Sequence, residues 1–134
     1  MLARQSRSLL WVLMAASVVA PCRAGTTESM EELVRIAELD IEPARLDAYT
    51  AALKEEIATS IAVEPGVLCL YAVAIKDHPN QIRIFERYAD HAAYERHVHS
   101  VHFNKYKSGT QKMVKSLKLI ETSPILLGTK AGQH

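Results

Sequence analysis

Apolar residues along this chain follow two different periods, and the change from one to the other predicts its elements. Leu33 to Ile41 is rich in β-forming residues and stops at Glu42-Pro43, where proline suits the first turn of a helix, so this stretch reads as a first strand. From Ala44 to Ile61 the apolar positions Leu46, Tyr49, Leu53, Ile57 and Ile61 recur every three or four residues, with Arg45, Lys54, Glu55 and Glu56 between them. That is the pattern of an amphipathic helix. Glu64-Pro65-Gly66 breaks it. Val67 to Ile75 is then a nine-residue apolar run, which predicts a second strand covered on both faces.

Asp77-His78-Pro79-Asn80 is turn chemistry, and Gln81 to Tyr88 resumes as a third strand, so the pair predicts an antiparallel hairpin. Asp90 is a good N-cap for a short helix through His99. Ser100 can cap a second helical segment whose Phe103, Tyr106, Thr110 and Met113 share a face. Val114 to Leu127 predicts a fourth strand, closed by Pro124 and Gly128. The order β-α-β-β-α-β fits an α+β, ferredoxin-like sheet with its helices on one face. A strand apolar on both sides then leaves an open face to cover, and the sheet of a second copy is the simplest cover. A pocket is expected between helices and sheet, lined from strands two and three and from the histidine-bearing helices.

The N-terminus changes the charge picture. Arg4 and Arg7 precede an apolar run from Leu9 to Ala20, and Cys22-Arg23-Ala24 supplies small residues where a signal peptidase reads. Residues 1–24 are therefore expected to be a cleavable signal peptide, 25–31 a flexible segment, 32–128 one domain and 129–134 a tail. This implies a periplasmic or secreted protein without a stable membrane anchor, the run being shorter than the roughly 20 residues that cross a bilayer. Met30 offers an alternative start. Cleavage removes three arginines from a chain with 16 basic and 15 acidic residues, leaving 13 against 15, a net −2. Basic residues are spread among acids, so no nucleic-acid partner is expected. Cys69 alone remains, flanked by Leu68 and Leu70, as a buried apolar thiol.

Four of the six histidines fall between His91 and His102, directly before Phe103-Asn104-Lys105-Tyr106. Imidazole titrates near neutrality, so histidines beside a carboxylate and phenols can move protons on a small organic substrate. On the helix after Asp90, His97 shares a face with Ala93 and looks inward, while His91 and His99 are solvated. His102 falls in the first turn after the Ser100 cap, where a ring is suited to accept a proton. Period two places Glu86 with Ile82, Ile84 and Tyr88 on one face of strand three. It is either a structural ion pair with Arg35, Arg83 or Arg87, or an acid or base of raised pKa. For either histidine the plain alternative is a hydrogen-bonded packing residue. The histidine spacing completes no metal set, so no metal is expected, and no P-loop, dinucleotide fingerprint or nucleophile elbow occurs. No cofactor has a basis in the sequence.

With these elements in place, Glu32 to Leu127 resembles the antibiotic biosynthesis monooxygenase domain family. The segments that carry the resemblance are Ile36-Ala37-Glu38, Glu64-Pro65-Gly66-Val67, Ile84-Phe85-Glu86-Arg87-Tyr88, and His97 followed by Ser100-Val101-His102-Phe103 and Tyr106. The resemblance implies a dimeric ferredoxin-like α/β barrel with one pocket per subunit. It also implies oxygenation of polycyclic phenols or quinols by dioxygen without flavin, metal or haem. His102 would be the base, His97, Glu86 and Tyr71 pocket partners, and Phe103 and Tyr106 substrate contacts. Haem-degrading members carry an asparagine on strand one, a tryptophan after strand three and a histidine in the helix after Phe103. Glu38 or its neighbours, Tyr88 and Lys107 stand in those regions here, so haem cleavage is not expected. An isomerase of a phosphorylated signal sugar matches the histidines better, but an exported protein would rarely meet that substrate. The competing class is a non-catalytic periplasmic module that binds a small aromatic or carbonyl compound.

Overall fold

A computed structural model describes residues 31–130, so the expected signal peptide and most of the segment after it lie outside the described residues, as does the end of the expected tail. Four strands, β1 (Leu33–Ile41), β2 (Val67–Ile75), β3 (His78–Tyr88) and β4 (Val114–Thr122), form one sheet in the order β2-β3-β1-β4. Every neighbouring pair is antiparallel. A 3-10 turn at Pro43–Arg45 leads into α1 (Leu46–Val63), and α2 (His91–Val98) and α3 (Val101–Thr110) join β3 to β4. The architecture is the ferredoxin-like α+β fold. Among the described residues no helix is long and apolar enough to cross a membrane.

Register decides which side chains meet the helices. Arg35 pairs with Glu86, Ala37 with Ile84 and Leu39 with Ile82, and these residues share the helix-facing side of the sheet. Ala37, Leu39, Ile41, Ile82 and Ile84 pack there with Tyr49 and Leu53 of α1. A second cluster, Val67, Leu70, Tyr88 and Ala93, seats α2. The expected caps form: the Asp90 carboxylate accepts the Ala93 N–H at 2.6 Å, and the Ser100 hydroxyl accepts the Phe103 N–H at 3.2 Å. Gly66 lies so close to α2 that a Cβ on it would stand 2.5 Å from the Ala93 Cβ.

Three expectations shift. The turn between β2 and β3 contracts to Lys76-Asp77, with Asp77 at φ 65, a left-handed conformation that a short polar side chain tolerates. His78-Pro79-Asn80 therefore joins β3, where the Asn80 amide donates to Asp40 Oδ1 at 2.7 Å. β4 ends at Thr122, just ahead of Pro124, which has no N–H to donate to a ladder, so residues up to Leu127 are not strand. Finally, β2 is not covered on both faces. Tyr71 is 63% and Val73 59% exposed, because the helices cover only one side of the sheet.

Candidate active site

Between the helices and the sheet lies a cavity of about 660 Å³, whose walls come from all four strands and all three helices. Small-molecule sites span roughly 300–1,000 Å³, so it can hold a ligand of two or three rings. Leu53, Ile57, Leu70, Ile84 and Phe103 make an apolar lining into which Glu86, His97, Tyr106 and Arg35 bring polar groups.

The exposed His99 also borders this cavity, but His97 is its buried histidine. Its helix face turns it inward, it is only 4% exposed, and its ring packs 4.7 Å from Phe103 and 5.3 Å from Tyr88, centroid to centroid. Nδ1 lies 2.9 Å from Oε1 of Glu64. Glu64 is the C-cap of α1, an unfavourable place for a carboxylate because the helix dipole is negative there, so it needs strong donors. Burial pushes the Glu64 carboxyl up, but hydrogen bonds from His97 and then His102 prevail and hold it below its ordinary range. An ionised carboxylate only accepts, so the ring nitrogens facing it carry hydrogen. In a neutral His97 ring the remaining nitrogen, Nε2, is then the acceptor.

His102 occupies the other side of the same oxygen. Its Nε2 is 2.7 Å from Glu64 Oε1 and 3.2 Å from the Ser100 hydroxyl. It lines a separate cleft of about 220 Å³, with Glu55 and Lys105, rather than the main cavity. The order from the cavity outward is thus His97, Glu64, His102. Glu56, buried on α1, accepts the Ser60 hydroxyl at 2.8 Å and adds a third candidate metal ligand to the two histidines. One donor atom from each lies within 4.8 Å of the others. The histidine spacing alone offers no such third ligand; α1 brings it. Hydrogen bonds already engage each of these three side chains.

Glu86 lines the cavity, as its register with Ile82 and Ile84 requires. None of the ion pairs expected for it forms: Arg87 pairs with Glu32 at 2.8 Å, Arg83 with Glu38 at 3.6 Å and Arg35 with Glu121 at 3.8 Å. Its partner is the Tyr88 hydroxyl, which donates to Oε2 at 3.2 Å. Burial pushes the Glu86 carboxyl above its ordinary range, and Tyr88, His97 and Arg35 offset this only in part. Tyr106 lines the cavity with its hydroxyl 2.6 Å from that of Tyr49. Burial raises both phenols, with Tyr49 adding to the rise at Tyr106, so Tyr106 stays a neutral hydroxyl.

The structure thus brings Glu86, His97, Phe103 and Tyr106 to one cavity and sets His102 behind it. Tyr71 does not belong to the site. Leu70 pairs with Glu86 and Tyr71 with Phe85, so alternation along β2 sends Tyr71 to the open face of the sheet. His91 and His99 are exposed as expected. Neither Glu64 nor Glu56 stands out in the sequence alone as a site residue, Glu64 because it reads as part of a helix break and Glu56 because it stands among the charges between apolar positions. A signal for Glu64 existed, since an acidic residue ending a helix calls for compensating donors.

A family model described as antibiotic biosynthesis monooxygenase matches residues 33–108. A solved structure from Bacteroides thetaiotaomicron, whose name marks it as a candidate antibiotic biosynthesis monooxygenase, is 51% identical, with a TM-score of 0.72 over 75% of this chain and 95% of that one. A candidate monooxygenase from Lactobacillus acidophilus is 32% identical, with a TM-score of 0.65 over 66% of this chain but only 42% of its own length. Rv0793 from Mycobacterium tuberculosis, 20% identical over 74% of this chain and 100% of its own, shares the fold with a TM-score of 0.67. No protein of curated function matches the chain.

Proposed function

The chain belongs to the antibiotic biosynthesis monooxygenase family, and we propose that it oxidises a small aromatic quinol or phenol with dioxygen and no cofactor. The observation that carries this reading is His97, which lines the cavity with Nδ1 tied to Glu64. A ring fixed at one nitrogen presents the other in a set direction, as a general base needs. We assign that role to His97 rather than His102, because His102 lines the outer cleft. Nε2 takes the phenolic proton, and the electron-rich phenolate reacts with dioxygen at a ring carbon. One oxygen atom stays on the ring as a quinone carbonyl. The other leaves as water with two hydrogens, one from the hydroxyl and one from the attacked carbon. Glu86, whose carboxyl is biased toward its neutral form, is placed to return a proton to the departing oxygen. Phe103 and Tyr106 hold the rings of the substrate.

Two further features belong to this reading. A second copy packed on the open sheet face would cover Tyr71 and Val73, and the N-terminal apolar run favours export to the periplasm. The test is oxygen uptake with a panel of quinols and hydroxyanthrones. We expect stoichiometric uptake with quinone formation by the native protein and its loss in His97→Ala. Thermal stabilisation by those compounds without any consumption would overturn the proposal in favour of a binding module.

A further inference from the structure

Arg35 brings a charge into the cavity that the protein itself hardly answers. It projects from the helix-facing side of β1, lines the cavity, and its side chain is nine-tenths buried. Its Nε has no hydrogen-bond partner, the one such fully buried side-chain atom among the described residues. Nη2 reaches only Glu121, 3.8 Å away and 80% exposed. The guanidinium lies over the Tyr94 ring at 4.5 Å, which fixes its plane without supplying an anion. Glu86, its register partner on β3, makes no ion pair with it and accepts the Tyr88 hydroxyl instead. A buried cation without a bonded anion is costly, and a planar guanidinium at the wall of a cavity is suited to an incoming oxyanion.

We propose that Arg35 is the anion subsite of the cavity and that the ligand is an aromatic acid, its carboxylate on the guanidinium and its ring against the apolar walls. This rests on the reading of the cavity as a site for a small aromatic compound. One guanidinium matches one negative charge. Lys107 and Lys115, the other cations along the wall, are exposed, so a phosphate dianion would carry a second charge inward without a buried partner. Arg35 is thus a specificity-determining residue, separate from the group that takes the proton.

Calorimetric titration tests this without any turnover, using 1-hydroxy-2-naphthoate, its methyl ester and 1-naphthyl phosphate as probes. The native protein is expected to bind the carboxylate about tenfold or more tighter than the ester, the margin of a charge-assisted hydrogen bond. Arg35→Met should erase that margin while still binding the ester, which also shows that the variant is folded. Arg35→Lys should keep part of it. Equal binding of acid and ester by the native protein, an unchanged margin in Arg35→Met, or tightest binding of the phosphate would each overturn the aromatic-acid assignment alone. Failure of all three probes to bind would overturn it together with the aromatic-substrate reading.

Discussion

Glu64 and His97 stand 33 residues apart in sequence, yet Oε1 of one lies 2.9 Å from Nδ1 of the other. The contact joins the end of α1 to the face of α2 that meets the cavity. It predicts an order of severity among variants. His97→Ala should lower kcat by about 10²- to 10⁴-fold, the usual contribution of a general base. Glu64→Gln should cost less, because its amide oxygen can still accept, and should lower kcat more than it raises KM. His102→Ala should cost least, since it reaches the cavity only through Glu64. Steady-state oxygen uptake by the three variants checks the order, and equal losses at His97 and His102 would contradict it.

The two carboxylates of the site predict opposite pH dependences of stability. Glu64 is lower in the folded state than its ordinary value of 4.5, so its contribution is present above that pH and lost as pH falls through the lower folded value. Glu86 is raised, so its contribution is present below 4.5 and lost as pH rises through the folded value. Glu86→Gln should therefore melt higher than the native protein at pH 7 and near it at pH 4. Glu64→Gln should melt lower at pH 7, with a deficit that shrinks as the solution is acidified below 4.5. Melting curves across pH 3 to 8 read both slopes, and parallel behaviour of the two variants would refute the assignment.

Much of this architecture was legible in the chain, and the misses share a cause. Strands β1 and β2 end where hydrophobic pattern and Pro-Gly punctuation place them, and Asp90 and Ser100 cap as their residue types predict, because these features are local. Periodicity, which tells one face from another, is enough to bring out Glu86 and His97. Periodicity does not say which face of an isolated strand the helices cover, so it cannot tell that Tyr71 faces away from the cavity. Nor does it show that Glu56 on α1 and Glu64 at its C-cap meet histidines from α2 and α3. Such a cluster exists only once helices cross. In the sequence Arg35 is no more than one possible partner for Glu86; only the packed structure shows its Nε unpartnered.

Gly66 predicts a coupling between backbone packing and chemistry. A methyl group there would meet the Ala93 Cβ at 2.5 Å, too close for α2 to keep its seat. Because His97 lies one helical turn beyond Ala93, any retreat of α2 also moves the ring away from Glu64. Gly66→Ala should cost about 1–3 kcal/mol through overpacking and should lower kcat as well. Pairing it with Ala93→Gly, which removes the opposing methyl, should recover much of both losses. Denaturant titration alongside oxygen uptake measures the two effects, and a variant with native stability and rate would show that the close approach is not tight.

The open face of the sheet predicts the assembly. Tyr71 and Val73 stand exposed there, with Phe85 alongside, while Arg83 and Arg87 on the same face are held by Glu38 and Glu32. If a second copy packs on this face, Tyr71→Arg places a third guanidinium beside two whose carboxylates are already taken, and it must be desolvated without a partner. The variant should sediment as a monomer at concentrations where the native protein is a dimer. Tyr71→Phe, which keeps the ring, should remain dimeric. Because Tyr71 lies on the side of the sheet away from the cavity, the test separates assembly from chemistry. Sedimentation velocity over a hundredfold concentration range decides it, and a native protein that stays monomeric throughout would leave the exposed face without the partner proposed for it.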